Sequence, residues 1–243
     1  MRSSPKVTAI VDTFNHARFI EQALTSVLAQ GFSETELEIL VVDDGSNDAT
    51  VELIEKFGRR VQILRKENGG QASAFNTAIP IAKGEIVAFL DGDDWWAKDK
   101  LSRVVDVFDS HADIGVVGHG FYEIDEITRK SFAVLPDASR HLALKTLEDG
   151  IEFRNVMSFL GTSRLSIRRN ALRAIGVVPN TLVVEADEFI STMAVATSEA
   201  WLIKEPLTYY RLHAGNLYQF QDGDAVKVRR KMLVLQALSL IHI

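Results

Sequence analysis

An α/β fold with a mainly parallel central sheet flanked by helices is the architecture this sequence predicts, on three observations. Over the first hundred residues, short apolar runs rich in Val, Ile and Leu alternate with segments whose apolar residues recur every three or four positions, the pattern of repeated βαβ units. The apolar run at 38–42 is nearly continuous, as suits a strand buried on both faces. With 243 residues and 47% hydrophobic composition, the chain can bury a large core in one domain, or in one domain plus a small appendage.

Taken in order, residues 7–11 read as a strand and 18–30 as a helix, with Ile20, Ala23, Leu24, Val27 and Leu28 on one face and Gly31 as its stop. Residues 38–42 form the second strand. A helix follows over 48–57, with Ser46 or Asn47 as N-cap. The third strand is 61–64, the turn is Asn68, Gly69 and Gly70, and the helix 71–82 carries a distorting Pro80 near its end. Residues 85–90 are the fourth strand. Beyond it the pattern predicts a helix at 101–108, a strand at 114–117, an extended excursion at 129–137, and a strand at 163–167 feeding a basic helix 168–175 that Gly176 ends. A helix at 187–197, a strand at 201–203 and an extended segment at 207–213 follow. The last run, 224–240, is an amphipathic helix with Val226, Leu233, Leu235 and Leu238 on one face; it reaches Ile243 without a cap or polar tail, the pattern of a truncated piece.

Composition narrows the functional classes. Against 33 Asp+Glu stand 27 Lys+Arg, a formal charge of −6, which argues against a nucleic-acid binder because phosphate affinity comes from clustered cations. The absence of cysteine removes disulfide scaffolds, zinc–thiolate sites, iron–sulfur clusters and thiol nucleophiles, and fits the reducing cytoplasm. No stretch reaches the about 18 uninterrupted apolar residues of a membrane span, and the amino-terminal apolar run is too short for a signal peptide. Peripheral association with the cytoplasmic face of a membrane stays open.

In open α/β sheets ligands sit at the carboxyl ends of the strands, and there this sequence concentrates its acids: Asp12; Asp43 and Asp44; Asp91, Asp93 and Asp94. One such Asp is ordinarily a cap or turn former. Three strand ends carrying acids together imply mutual repulsion that protonation, hydrogen bonds or a hard divalent cation must relieve. Receiver domains also end a strand in a double Asp, but they begin with that strand, whereas residues 7–30 already supply a strand and helix ahead of it. Haloacid-dehalogenase-like phosphatases place an Asp-rich motif on their first strand and require a hydroxyl residue that 91–94 lacks.

A third resemblance covers most of the chain. VTAIVDTFN at 7–15, ALTSVLAQ at 23–30, VDDGS at 42–46, NGGQASAFN at 68–76 and LDGDD at 90–94 resemble, in order and spacing, the family-two glycosyltransferases of GT-A fold, a Rossmann-like sheet with a carboxyl-terminal acceptor-side region. The resemblance implies inverting transfer of a sugar from a nucleotide diphosphate donor, most often a UDP-sugar, to a hydroxyl of a glycan or lipid-linked acceptor, with Mg²⁺ or Mn²⁺ as cofactor. It implies that Asp12, Thr13 and Phe14 flank the base, that Asp44 accepts a hydrogen bond from it, and that Asp43 supports this or the ribose. Asp12 stands where the family usually carries Pro. Asp91 and Asp93 become the D-x-D pair, Asp91 near ribose or sugar and Asp93 on the metal, with Gly92 between them at the nucleotide. Gly70 lets backbone approach the nucleotide or merely makes a turn, and Asn76 joins the nucleotide site or bridges loops.

The acceptor side implied by the same resemblance lies in the second half. VEADEF at 184–189 resembles the family's acceptor-side acidic motif, which makes Asp187 the general base and Glu185 the alternative; acids also favour helix amino termini without any catalytic role. YRLHAGN at 210–216 resembles a Tyr-Arg-x-His motif, so His213 becomes a metal ligand and Arg211 a diphosphate or acceptor contact. Trp95 and Trp96 stack on the acceptor sugar or simply pack. Arg164, Arg168 and Arg169 read as a basic patch. The organisation implied is a donor-binding half over 1–118, an acceptor and base half over 119–222, and the helix within 223–243. The other readings to weigh are a nucleotidyltransferase, whose Gly-rich basic signature 11–15 lacks, and a non-catalytic nucleotide-sugar or glycan-binding module.

Overall fold

The computed structural model describes residues 4–182, 185–213 and 216. Val7–Thr13 forms β1, Ile20–Leu28 α1, Leu37–Asp43 β2, Thr50–Glu55 α2, Gln62–Arg65 β3, Gly70–Ala78 α3 and Ile86–Asp91 β4. These four strands pair in parallel in the order β3-β2-β1-β4. Helix α3 stops at Ala78 and continues as the 3-10 turn Ile79–Ile81, because Pro80 has no N–H to extend the α-helical ladder.

The second half is mixed. Trp95–Trp96 is β5, Lys100–Ser110 α4, Ile114–Asp125 β6, Ser131–Val134 β7, Arg140–Leu142 β8, Leu147–Val156 α5, Ser166–Arg168 β9, Arg169–Ile175 α6, Ala186–Thr197 α7 and Glu199–Leu212 β10. Strand β9 lies antiparallel between β4 and β6, and β6 pairs in parallel with β10. The carboxyl ends of β1, β2, β4, β6 and β10 therefore share one edge. The two segments expected at 201–203 and 207–213 are one strand whose register shifts on either side of Pro206, which cannot donate to the ladder. β5, β8 and α5 are additional elements. The helix expected at 224–240 lies outside the described residues. No helix among the described residues is long and apolar enough to cross a membrane.

Two apolar layers enclose the sheet. One contains Val7, Ala9 and Val11 with α1 and α4; the other contains Ile10, Val87 and Phe89 with α3, α6 and α7. Because side chains alternate along a strand, Asp12 and Asp91 emerge on the α3/α7 face, while Asp43, following Val41, emerges on the α1 face. This alternation divides the acids before any loop contributes.

Candidate active site

Asp12 and Asp91 are register partners at the ends of adjacent parallel strands. The turn after β4 is drawn against β1: Gly92 N donates to Asp12 O at 2.9 Å, and a Cβ at Gly92 would stand 2.7 Å from Thr13 Oγ1 and 2.9 Å from His16 Nδ1. A side chain here would have to displace those of Thr13 and His16, so glycine suits this approach. Burial, and next the charge of Asp93, holds Asp12 well above the usual carboxylate range, and its Oδ1 is buried without a hydrogen-bond partner. Asp91 is likewise pushed up, by burial first and then by Asp12, Asp93 and Asp94. Its carboxylate accepts from Gln71 Nε2 at 3.2 Å and Ser163 Oγ at 3.2 Å.

Asp93 behaves oppositely. Burial alone would raise it, but the hydrogen bond with His213 and the nearby His16 outweigh burial and bring it below its ordinary value. His213 Nε2 lies 3.0 Å from Asp93 Oδ2 and His16 Nε2 3.8 Å from the same oxygen. Asp94 is buried, and burial followed by the charge of Asp93 moves it to about 7, although its Oδ1 accepts Arg211 N–H at 2.8 Å.

Arg211, expected at the diphosphate or acceptor, is instead a clamp inside the protein. Its Nε donates to Asp93 O at 2.7 Å and one terminal nitrogen to Gln22 Oε1 at 2.7 Å, while the other pairs with Glu126. The guanidinium also covers the rings of Phe19 and Trp95. The two tryptophans follow the packing alternative. Trp96 is 3% exposed, donates from Nε1 to Ser163 O at 3.0 Å and carries the buried Lys100 ammonium 3.7 Å from its ring centroid. Trp95 packs between Arg211 and Tyr209, whose ring is stacked on it at 4.9 Å. Both rings take part in packing, Trp96 fully and Trp95 while half-buried.

On the other side of the cleft, Asp187 occupies the first turn of α7, preceded by Glu185 in the left-handed region at φ 63°. Its Oδ2 accepts from Thr162 N at 2.8 Å and Thr162 Oγ1 at 3.0 Å, and its Oδ1 from Glu188 N at 2.9 Å. Thr162 and Ser163 belong to one 3-10 turn ahead of β9, so this turn touches Asp187 with one residue and Asp91 with the next. The negative charge of Asp187 is felt at both Asp12 and Asp91. Asp12, Asp91, Asp93 and Asp187 are thus gathered at the carboxyl edge of the sheet, close enough for their charges to act on one another. Glu185 is buried at the amino-terminal cap position of α7. The expected basic patch is divided: Arg168 donates inward to the carbonyls of Phe108, His111 and Ile114, whereas Arg164 lies over the Phe121 and Tyr210 rings.

The end of β2 is built differently. Asp44, 4% exposed, accepts from Gly70 N at 2.7 Å, Gly69 N at 3.0 Å and Lys66 Nζ at 2.5 Å. It caps α3 from another strand and satisfies orphan donors of a helix that has no side-chain cap of its own. Asp43 is equally buried and accepts from Ser46 N at 3.3 Å. The base contact expected of Asp44, and the backbone approach expected of Gly70, meet a carboxylate and an N–H already bonded to each other. Asn76 donates to Val178 O at 2.7 Å and Asn180 Oδ1 at 2.9 Å and accepts Val178 N at 2.9 Å, which is the loop bridge. Phe14 stands 42% exposed past the end of β1, beside the buried Thr13.

Sequence reasoning missed His16, Gln71 and Thr162. His16 had the only usable signal, an imidazole four residues past a strand-end Asp; Gln71 and Thr162 matter only through what folding sets against them. Asp93, His213 and His16 form a mixed oxygen and nitrogen donor set next to acids that raise one another's proton affinity, among them Asp12 with its unpartnered Oδ1. Donors of this kind suit a divalent cation, with imidazoles favouring Mn²⁺ over Mg²⁺. The two imidazoles lie 3.0 and 3.8 Å from one Asp93 oxygen, but the three ligand atoms are not all within 4.8 Å of one another, so closing around an ion would require them to draw together. Among the described residues the ligand atoms that do lie within 4.8 Å of one another come from Asp113, His141 and Glu199, at the opposite edge of the sheet, where Lys145 already pairs with Glu199.

Comparison with known proteins gives the family and the fold. The family model described as Glycosyl transferase family 2 matches residues 8–176. An uncharacterized glycosyltransferase of Nostoc sp. is 34% identical over 222 residues, covering 87% of this chain and 66% of the relative. The chain spans 66%, 45% and 42% of the lengths of three curated relatives it matches. Among solved structures, Staphylococcus aureus TarS 1–349 in complex with UDP-GlcNAc superposes with a TM-score of 0.72 at 22% identity, covering 89% of this chain and 62% of that one. The mannosyltransferase PcManGT from Pyrobaculum calidifontis, in complex with GDP-Man and Mn²⁺, gives a TM-score of 0.62 at 23% identity, with 94% and 61% covered. At these identities the two structures establish the GT-A fold.

Proposed function

The chain belongs to glycosyltransferase family 2, and from that premise we propose that it transfers a sugar, with inversion, from a UDP-sugar to a hydroxyl of a glycan or lipid-linked acceptor. The observation that carries this reading is the convergence of Asp12, Asp91 and Asp93 with Asp187 on one cleft at the carboxyl edge of the sheet. The bound UDP-GlcNAc and GDP-Man of the two structural neighbours support a nucleotide-sugar donor, and the Mn²⁺ of the second supports a metal.

Asp93 and His213, with Asp91 close by, would hold Mn²⁺ or Mg²⁺, which when bound supplies positive charge to the leaving diphosphate. Phe14 and Thr13 border the base, and Asp91 the ribose or sugar. Asp43, Asp44, Gly70 and Asn76 hold the loops around the donor. Asp187 takes the proton of the acceptor hydroxyl as its oxygen bonds to the anomeric carbon; the bond from that carbon to the diphosphate breaks, and the electron pair leaves with the nucleotide. The three N–H and O–H donors on Asp187 aim it for this step. Glu185 precedes it as the alternative base. Residues 1–118 contribute the donor side and 119–222 the acceptor side. The absence of cysteine supports work in the reducing cytoplasm, at the membrane face if the acceptor is lipid-linked.

Calorimetry with UDP, with and without Mn²⁺, tests the donor site. Metal-dependent binding of UDP is expected; absence of binding for UDP, GDP and dTDP alike removes the assignment. Asp187→Asn is expected to lower transfer by about 10²–10⁴-fold while UDP affinity stays nearly unchanged, and loss of UDP binding instead would make Asp187 structural.

A further inference from the structure

Gln71 opens α3 one residue after the Gly70 that Asp44 caps, and its side chain spans the cleft between the donor-side acids and the acceptor side. Its Nε2 donates both hydrogens, one to Asp91 Oδ1 at 3.2 Å and one to Thr162 Oγ1 at 3.0 Å. Because Thr162 Oγ1 accepts from the amide, the hydroxyl's own hydrogen points to Asp187 Oδ2, 3.0 Å away. The chain of hydrogen bonds therefore has one direction, from Gln71 through Thr162 to Asp187. At the other end of the same amide, Oε1 is buried and has no hydrogen-bond partner. A buried carbonyl oxygen left without a donor is costly, and its neighbours here, Asp91 and the other acids, are acceptors when ionised.

A sugar supplies what this oxygen lacks. The geometry points to Gln71 as a specificity-determining residue that receives a hydroxyl of the transferred sugar on Oε1 and, through the Thr162 hydroxyl, positions Asp187 for proton abstraction. The inference rests on the transfer reading above. The amide is planar, so a ligand that holds Oε1 also holds both Nε2 bonds; a donor without a hydroxyl at that place leaves the amide free to rotate and loosens Thr162 and Asp187 together. Discrimination among donors would then be felt in kcat as well as in KM, since the interaction that reads the sugar also assembles the base.

The test measures UDP release from UDP-GlcNAc, UDP-glucose and UDP-galactose with Mn²⁺, alongside calorimetry with UDP alone and thermal unfolding of each variant. Thr162→Val, which keeps the backbone N–H and removes the hydroxyl, is expected to lower kcat about tenfold while KM and UDP affinity stay within about twofold, and Thr162→Ser to restore it. Gln71→Met is expected to raise KM for the best UDP-sugar and lower kcat, each about tenfold, without weakening UDP alone. The double variant Gln71→Met, Thr162→Val should be no slower than Gln71→Met, because both act through one chain of bonds. The inference is overturned if Gln71→Met weakens UDP as much as the UDP-sugar, if Thr162→Val releases UDP at the unsubstituted rate, or if the two losses multiply. Mn²⁺-dependent UDP binding in the unsubstituted protein together with any of these results leaves the transfer reading standing; its absence removes both.

Discussion

The ends of β2 and of the β1/β4 pair are both acidic and both lie on the same edge of the sheet, yet they are opposites. Asp44 collects two backbone N–H groups and the Lys66 ammonium, so its charge is answered inside the protein. Asp12 and Asp91 instead face each other, with Asp93, Asp94 and Asp187 adding charge of the same sign. A satisfied acid stabilises the fold that holds it, whereas an unsatisfied one stores free energy that only a ligand can release. On the proposed reading the first end is scaffold and the second is the site.

The sharpest way to break this comparison is to remove one acid from each end. Asp44→Ala leaves Lys66 and the α3 amino terminus without their acceptor and is expected to cost about 3 kcal/mol, the scale for breaking a buried ion pair, read from denaturant unfolding. Asp12→Asn takes one charge from the crowded pair and is expected to stabilise the metal-free protein by about 1 kcal/mol at pH 8 while weakening Mn²⁺-dependent UDP binding. Equal destabilisation by both substitutions would erase the distinction.

A subtler difference lies in pH. Asp12, Asp91 and Asp94 have folded-state values raised above the unfolded ones, Asp94 to about 7. Their contribution to stability is therefore complete below the unfolded value of about 4 and is lost as pH rises through the folded values. Asp93, lowered in the fold, contributes in the opposite sense, but its loss comes only at acid pH. From pH 7 to pH 8, above the range in which the lowered His16 and His119 act in the opposite sense, thermal midpoints of the metal-free protein should fall, and Asp94→Asn should flatten that decline. Since Mn²⁺ displaces the same protons, its affinity should rise over the same interval; a flat profile in both measurements would mean the acids are already neutralised within the protein. The smallest expected effect is at Gly92→Ala, about 1 kcal/mol, because the Cβ meets the side chains of Thr13 and His16, which can turn aside.

Much of the donor half was legible because its signals are local. Apolar runs ending in Asp located β1, β2 and β4 within two residues, and alternation along the strands already separates Asp12 and Asp91 from Asp43. The roles of Arg211 and Trp96 were not legible, since an Arg or Trp beside a motif looks the same whether it meets a ligand or its own backbone; burial decides, and burial is set by Glu126, Gln22, Ser163 and Lys100 from distant parts of the chain. β8 and α5 escaped because their apolar residues make no clear stripe, with Ile151 exposed at 58%. Pro206 concealed the continuity of β10 by interrupting its hydrogen-bond ladder.

By itself, the sequence determined the parallel core, the edge on which the acids gather and the family to which the chain belongs, because strand periodicity and short motifs are properties of neighbouring residues. Tertiary structure alone decided which acids are answered and which are not. Lys66 and the α3 amino terminus reach Asp44 across more than twenty residues, Thr162 reaches Asp187 across twenty-five, and His213 reaches Asp93 across 120. Electrostatic energy depends on distance through space and on exclusion of water, and neither is written along the chain.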